Sequence, residues 1–232
     1  MGHILITGGL GFIGSELAKY LFKQYKLSIF DKPRKEMVQY FADIPLNLID
    51  RDHGIDAIYE LDPDIIIHMG AKSSTDISDP IETYNMNTLF TNKLIDYSIR
   101  KNKKLIYASS AATYGDGSNG FQDFDNFYKL QKLKPLNLYG WSKHNSDLYL
   151  SSILEEQRKI SNIIGLKFFN VYGKNEIHKN KMASVLSQKL KEINKGEEVI
   201  LFKHYHHNEF CEAERDFIYV EDVEKIILKL IQ

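Results

Sequence analysis

His3-Ile4-Leu5-Ile6-Thr7-Gly8-Gly9-Leu10-Gly11-Phe12-Ile13-Gly14-Ser15 is the stretch whose reading decides the fold. His3 to Thr7 reads as a short buried strand, and Gly8, Gly11 and Gly14 recur at three-residue spacing behind it. A helix is expected over Ser15 to Gln24. The glycine spacing differs from the common GxGxxG form, but the physical tasks are alike. Small residues permit a tight turn, close approach of a phosphate to the backbone and close helix–strand packing. The following helix offers its unpaired N–H groups and the positive end of its dipole to a pyrophosphate. A glycine-rich turn alone is weak evidence. A strand before it, a helix after it and Asp31 at the end of the next apolar strand, Leu27 to Phe30, strengthen the nucleotide reading. Asp31 can accept hydrogen bonds from an adenosine ribose, or it can cap a helix or sit in a solvated turn.

The same alternation continues outward. Leu46 to Ile49 suits a short strand, Ile55 to Leu61 a helix, and Ile65 to His68 a strand covered on both faces. Thr83 to Arg100 reads as a long helix, Lys104 to Ala108 as a strand ending in the small-residue cluster Ser109 to Thr113, and Tyr139 to Arg158 as another long helix. Ile163 to Phe169 is strand-like and ends at Asn170. Regular strand–helix alternation predicts an α/β fold, a Rossmann-type doubly wound parallel sheet with helices on both faces. The tail is less regular. A helix is expected over Met182 to Asn194, short strands over Val199 to Phe202 and Phe217 to Val220, a polar loop over Lys203 to Glu214, and a helix from Asp222 to Leu230. This divides the chain into a nucleotide-binding domain, 1–170, and a less regular second part, 171–232, whose elements can return to the core sheet.

The 232 residues are 43% apolar, with 30 Lys and Arg against 31 Asp and Glu, a formal net charge of -1. Such a balance gives no electrostatic reason to expect nucleic acid or an anionic membrane as partner. The single cysteine, Cys211, excludes an intramolecular disulfide and a multi-cysteine zinc site, and no metal is expected. No apolar run approaches the length of a membrane span, and the N-terminus lacks the features of a secretory signal, so a cytoplasmic setting is expected.

The chemistry-bearing residues follow the glycine turn. Ser110 lies just past a predicted parallel strand, where open-sheet enzymes place working groups. Tyr139 and Lys143 stand four apart on one helical face. A cationic lysine near a phenol favours the phenolate and brings it closer to a useful base. Ser110 can orient a substrate hydroxyl, and Lys143 can hold the nicotinamide ribose. Alcohol oxidation needs such a set: the cofactor takes the hydride, and the protein manages the proton and the geometry. A Tyr–Lys pair on a helix is more often a half-buried ring beside a snorkelling lysine. Its position after the glycine turn and Ser110 favours catalysis. Asn87 can anchor the segment facing the nicotinamide or simply start a helix. Asn170, at a strand end, can contact substrate or cap. Lys32, Arg34 and Lys35 beside Asp31 leave the cofactor open: the carboxylate favours the free ribose of NAD, the cations a 2′-phosphate.

Several stretches are narrower. GGLGFIGS at Gly8–Ser15, HMGAKSST at His68–Thr75, YASSAATYG at Tyr107–Gly115, PLNLYGWSK at Pro135–Lys143, FFNVYGKNEIHKNKMAS at Phe168–Ser184 and RDFIYVEDV at Arg215–Val223 together span the chain. Through them the sequence resembles the extended short-chain dehydrogenase/reductase superfamily and, within it, the ADP-L-glycero-D-manno-heptose 6-epimerase family. The resemblance implies tightly held NADP or NAD, a nucleotide-linked heptose or related nucleotide sugar as substrate, a homo-oligomer, and epimerisation at C6 by transient oxidation and re-reduction. It assigns Ser110, Tyr139, Lys143 and Lys179 to catalysis, with Lys179 of the His178-Lys179 pair as second acid/base. Gly8, Gly11, Phe12, Ile13, Gly14, Asp31, Lys32, Met69, Gly70, Ala71, Ser73, Asn87, Tyr139, Lys143 and Val171 go to the cofactor. Ser73, Ser74, Ser110, Asn170, Lys179, Lys181, Gln188, Phe202 and Arg215 go to the substrate side.

The sequence departs from the family at Lys72 and Lys181, where small residues are usual, and at Gln188, where a histidine is familiar. Family members also continue well beyond the RDF–DV segment, so the substrate lobe reads as C-terminally shortened. Other nucleotide-sugar 4-epimerases, dehydratases or reductases, and a catalytically silent nucleotide-binding protein, are the competing functions.

Overall fold

The computed structural model describes residues 2–73, 79–156, 160–176, 183–199, 203–206, 209–212 and 215–232. Six parallel strands form the central sheet: β1 (His3–Thr7), β2 (Lys26–Asp31), β3 (Asn47–Asp50), β4 (Ile65–His68), β5 (Lys104–Ser110) and β6 (Ile163–Phe168). Their spatial order is β3-β2-β1-β4-β5-β6. The doubly wound sheet expected from the alternation is what the chain adopts. The order reverses between β1 and β4, so the loops leaving these neighbours diverge and open a crevice at the carboxyl end of the sheet.

The sheet is buried on both faces, which explains its continuous apolar strands. Within β1 the side chains alternate, with Ile4 and Ile6 in one cluster and Leu5 in the other. The first cluster brings in Leu17 and Leu21 of helix α1 (Phe12–Leu21). The second takes Ile58 of α3 (Asp56–Leu61), Leu94, Ile95 and Tyr97 of α5 (Phe90–Lys101), and Leu150 of α7 (Leu138–Glu156). The short helices α2 (Lys35–Tyr40), α4 (Pro80–Thr83) and α6 (Phe127–Leu130) lie between these in the chain. Among the described residues no helix is long and apolar enough to cross a membrane.

Four local readings need correction. The helix after the glycine turn starts at Phe12 rather than Ser15, because Gly11 already serves as its N-cap. The single helix expected over Thr83 to Arg100 is three pieces: α4, a π-helical stretch Tyr84–Leu89, and α5. A continuous helical periodicity does not reveal such a change of winding. Beyond β6 the chain breaks at Phe169, and β7 (Asn170–Tyr172) leaves the main sheet to pair in parallel with β10 (Phe217–Tyr219). The segment expected as a polar loop holds a hairpin, β8 (Lys203–His206) with β9 (Glu209–Glu212), in which Tyr205 faces Phe210. Two residues separate the paired ends, the shortest hairpin spacing, which a reading by polar composition does not register.

The helices of this half behave differently. Helix α8 (Val185–Asn194) buries none of its residues. Helix α9 (Val220–Ile231) sends Val223, Ile227 and Ile231 into the cluster around α1. The expected strand at 199–202 lies almost wholly outside the described residues.

Candidate active site

The glycine turn is built by steric necessity. Gly8 has φ +68°, and a methyl group on it would stand 2.5 Å from the Gly70 backbone. A methyl on Gly14 would stand 2.3 Å from the Gly8 carbonyl oxygen. These contacts let α1 begin directly against β1. Gly11 caps α1 without a side-chain acceptor, so the helix terminus is left for an outside anion.

Asp31 closes the other side of the turn. Its carboxylate accepts the Leu10 N–H at 2.9 Å and the Lys32 N–H at 2.7 Å. Arg34 donates to the Leu10 carbonyl at 2.6 Å. A cleft of about 470 Å³ runs from here across the switch point, walled by Gly8, Gly11, Asp31, Met69, Gly70 and Ala71. Cradle, uncapped helix terminus and ribose-side carboxylate fit a dinucleotide. Arg34, Arg51, Asp52, Glu82, Asn85 and Phe90 also line the cleft. Of these, only Arg34 is marked by the sequence pattern around Asp31. Arg51 and Asp52 follow the end of β3, and their position after a parallel strand was the available signal. Lys32 is exposed and does not line the cleft.

Asn87 is fully buried in the π-helical stretch. Its side chain accepts the Lys72 N–H at 2.8 Å and donates to the Lys72 carbonyl and the Ser142 hydroxyl, both at 2.9 Å. It thereby ties the loop after β4 to α7. The Lys72 ammonium pairs with Glu82, which accounts for a cation at a position expected to be small. Ser73 is exposed at the end of this loop.

Ser110 and Tyr139 meet at the end of β5, with Lys143 one turn along α7 from Tyr139. A hydrogen bond from Ser110 reaches the Tyr139 phenol; burial raises the phenol's pKa, and this bond opposes the rise. Lys143 is 3% exposed and donates to the Ala108 carbonyl at 2.7 Å. Burial brings its ammonium down to about 8, against the pull of Asp147. His68, on the cleft wall, connects this centre to the nucleotide side. Burial first, then the Lys143 charge, pushes its imidazole down to about 3. The neutral ring bonds Thr7 at 2.5 Å and Thr91 at 2.8 Å.

The substrate-side candidates are more scattered. Asn170 donates to the Asp216 carbonyl at 2.9 Å and so holds β7 to the segment carrying exposed Arg215. Val171 packs against the core, Phe12 is buried within α1 and Ile13 is half-buried. Gln188 donates to the Ala183 carbonyl at 2.6 Å. Ser74, Lys179, Lys181 and Phe202 lie outside the described residues.

A family model described as the NAD dependent epimerase/dehydratase family matches residues 4–232. The ADP-L-glycero-D-manno-heptose-6-epimerase of Nitratidesulfovibrio vulgaris Hildenborough is 34% identical over 241 residues, covering 98% of this chain and 72% of that protein. The crystal structure of the Helicobacter pylori ADP-L-glycero-D-manno-heptose-6-epimerase superposes with TM-score 0.76 at 30% identity, over 99% of this chain and 73% of that one. UDP-N-acetylglucosamine 4-epimerase from Methanobrevibacter ruminantium M1 reaches TM-score 0.80 at 27% identity, over 100% and 73%. Strand order, cradle and family match agree: the chain is an epimerase-type enzyme that works with an NAD(P) cofactor, and it belongs to the NAD dependent epimerase/dehydratase family.

Proposed function

We propose that the protein epimerises C6 of a nucleotide-linked manno-heptose. The observation that carries the chemistry is the Ser110–Tyr139–Lys143 cluster beside the cleft. The choice of sugar is supported by likeness to heptose 6-epimerases in both sequence and structure. A bound nicotinamide cofactor, which the Gly8–Gly14 turn and Asp31 would hold, would supply a reversible hydride acceptor. Tyr139 removes the hydroxyl proton, helped by the neighbouring Lys143 charge. Ser110 orients the oxygen and stabilises its developing charge. The ketone then turns its other face by rotation of the terminal carbon group, and Lys179 serves as acid/base for the second configuration. We assign residues 171–232 to the substrate lobe, with α9 as its return to the core. A cytoplasmic homo-oligomer is part of the same proposal.

The second reading is a 4-epimerase of a UDP-sugar, favoured by the superposition on the Methanobrevibacter enzyme. Incubation with ADP-heptose and with UDP-N-acetylglucosamine, followed by NMR of the sugar, separates the two. C6 inversion is expected, and Tyr139→Phe and Lys179→Met should each lower it by roughly two or more powers of ten. Near-parent turnover of Lys179→Met would remove the two-base assignment. C4 inversion alone would replace the heptose reading.

A further inference from the structure

Tyr139, Lys143 and Asp147 stand at i, i+4 and i+8 of α7 and so share one face. The first two belong to the reacting centre proposed above. Asp147 is 7% exposed and lies one turn beyond Lys143. Its carboxylate takes the Tyr107 hydroxyl at 2.8 Å and the Ser109 hydroxyl at 2.7 Å. These donors are alternate residues of β5, on one face of the sheet. Lys167 of β6 stands opposite Ser109 in register and pairs with the same carboxylate. Its ammonium also donates to the Thr113 hydroxyl at 2.8 Å, and Thr113 donates to the Ser110 carbonyl at 2.8 Å. One buried carboxylate thus joins β5, β6, the 3-10 turn Ala111–Tyr114 and α7, and the chain of bonds ends on the backbone of Ser110.

Two hydroxyl donors and an ammonium satisfy a carboxylate that would otherwise be costly to bury. Such a group does more than pack. It fixes the height of α7 along β5, and with it where Tyr139 and Lys143 stand relative to Ser110. We propose that Asp147 is a positioning residue of the catalytic centre: its carboxylate locks α7 to the end of β5, and its charge, shared with Lys167, sets the charge state of Lys143. The inference rests on the reading of Ser110, Tyr139 and Lys143 as the reacting centre.

The surroundings of Lys143 leave this charge little competition. From α7 come the uncharged Tyr139 and His144, whose imidazole is lowered chiefly by burial. From β4 comes His68, also lowered chiefly by burial, and from β5 the Ala108 carbonyl and the Tyr107 phenol, which burial raises well above its usual value. From β6 comes Lys167, which opposes Asp147. Burial pulls the Lys143 ammonium down, and Asp147 pulls it back up.

The test titrates Lys143 by NMR in lysine-labelled protein as purified, its signal assigned by loss in Lys143→Met. Asp147→Asn should lower the Lys143 midpoint by roughly one pH unit. Lys167→Met should raise it, and Lys167→Arg should leave it in place. A purely structural role moves no midpoint in opposite directions. Displacement of both variants in one direction, or of neither, would overturn the proposal. If Asp147→Asn does not fold, Lys167→Met decides alone: an unmoved or lowered midpoint overturns it, a raised one supports it. The titration needs no sugar and no turnover, so its outcome is independent of whether the parent inverts C6.

Discussion

The two halves of the chain are built in different ways. The nucleotide side is assembled from short stretches that fold onto each other within β1, α1 and β2. Asp31 and Arg34 bond the Leu10 backbone at 2.9 and 2.6 Å, and Gly8 and Gly14 have no room for a methyl group. The second half holds β7, the segment before β10, and α8, spread over about 50 residues of sequence. There Asn170 holds the Asp216 carbonyl and β7 pairs with β10, while α8 leaves Val185, Leu190 and Ile193 at least half exposed. Glu176 partly offsets this: at 2% exposure it accepts the Ser184 hydroxyl at 2.8 Å, also takes the Ser184 N–H and the Ser187 hydroxyl, and so anchors the start of α8. A closely packed turn beside a helix that buries none of its residues gives the two halves different local stability.

That contrast can be broken at the cradle first. Gly14→Val puts side-chain carbon where the Gly8 carbonyl oxygen already stands. Overpacking of this kind costs roughly 1–3 kcal/mol in the fold alone. Cofactor retention, read by mass spectrometry of the denatured protein, should disappear. Full retention would show that the turn has room the geometry denies. The next effect sharpens cofactor choice. Arg34 and Arg51 line the cleft, whereas Lys32 does not. Arg34→Ala with Arg51→Ala should weaken NADP by roughly a hundredfold, the scale of two charged hydrogen bonds, and NAD by less than tenfold. Equal losses in calorimetry would mean that neither cation reads a 2′-phosphate.

The smallest effect is on stability. The His68 imidazole is lowered to about 3 in the fold, chiefly by burial, so below its ordinary 6.5 the unfolded chain binds more protons. Stability is then complete above pH 6.5 and falls as pH drops through the window towards 3. His68→Gln should flatten this acid-side loss by about 1 kcal/mol at pH 5.5, read from Tm at pH 7 and 5.5. Parallel Tm curves for parent and variant would show that His68 does not carry it.

Much of the nucleotide half was legible before the structure. Strand, glycine turn and helix are contiguous in sequence, and local contacts fix them, so the turn carrying Gly8, Gly11 and Gly14 and its neighbour Asp31 could be read together. YxxxK was legible because a helix converts spacing into a shared face. Arg51, Asp52 and Glu82 were not, since the crevice recruits them through strand order, which spacing does not encode. Asp147 was hidden for the same reason: its partners Ser109 and Lys167 are neighbours only across the β5–β6 register. The antiparallel pairing of 203–206 with 209–212 is not legible because a polar composition carries no strand alternation.

The central claim is that C6 is oxidised and then re-reduced with the same hydrogen. The direct measurement supplies ADP-heptose deuterated at C6 to the cofactor-bound enzyme in ordinary water and reads the inverted product by mass spectrometry and NMR. The account predicts that deuterium stays on C6 and that no cofactor is consumed. Inverted product with solvent hydrogen at C6 would contradict it, because the proton would then have been exchanged at carbon rather than carried as hydride.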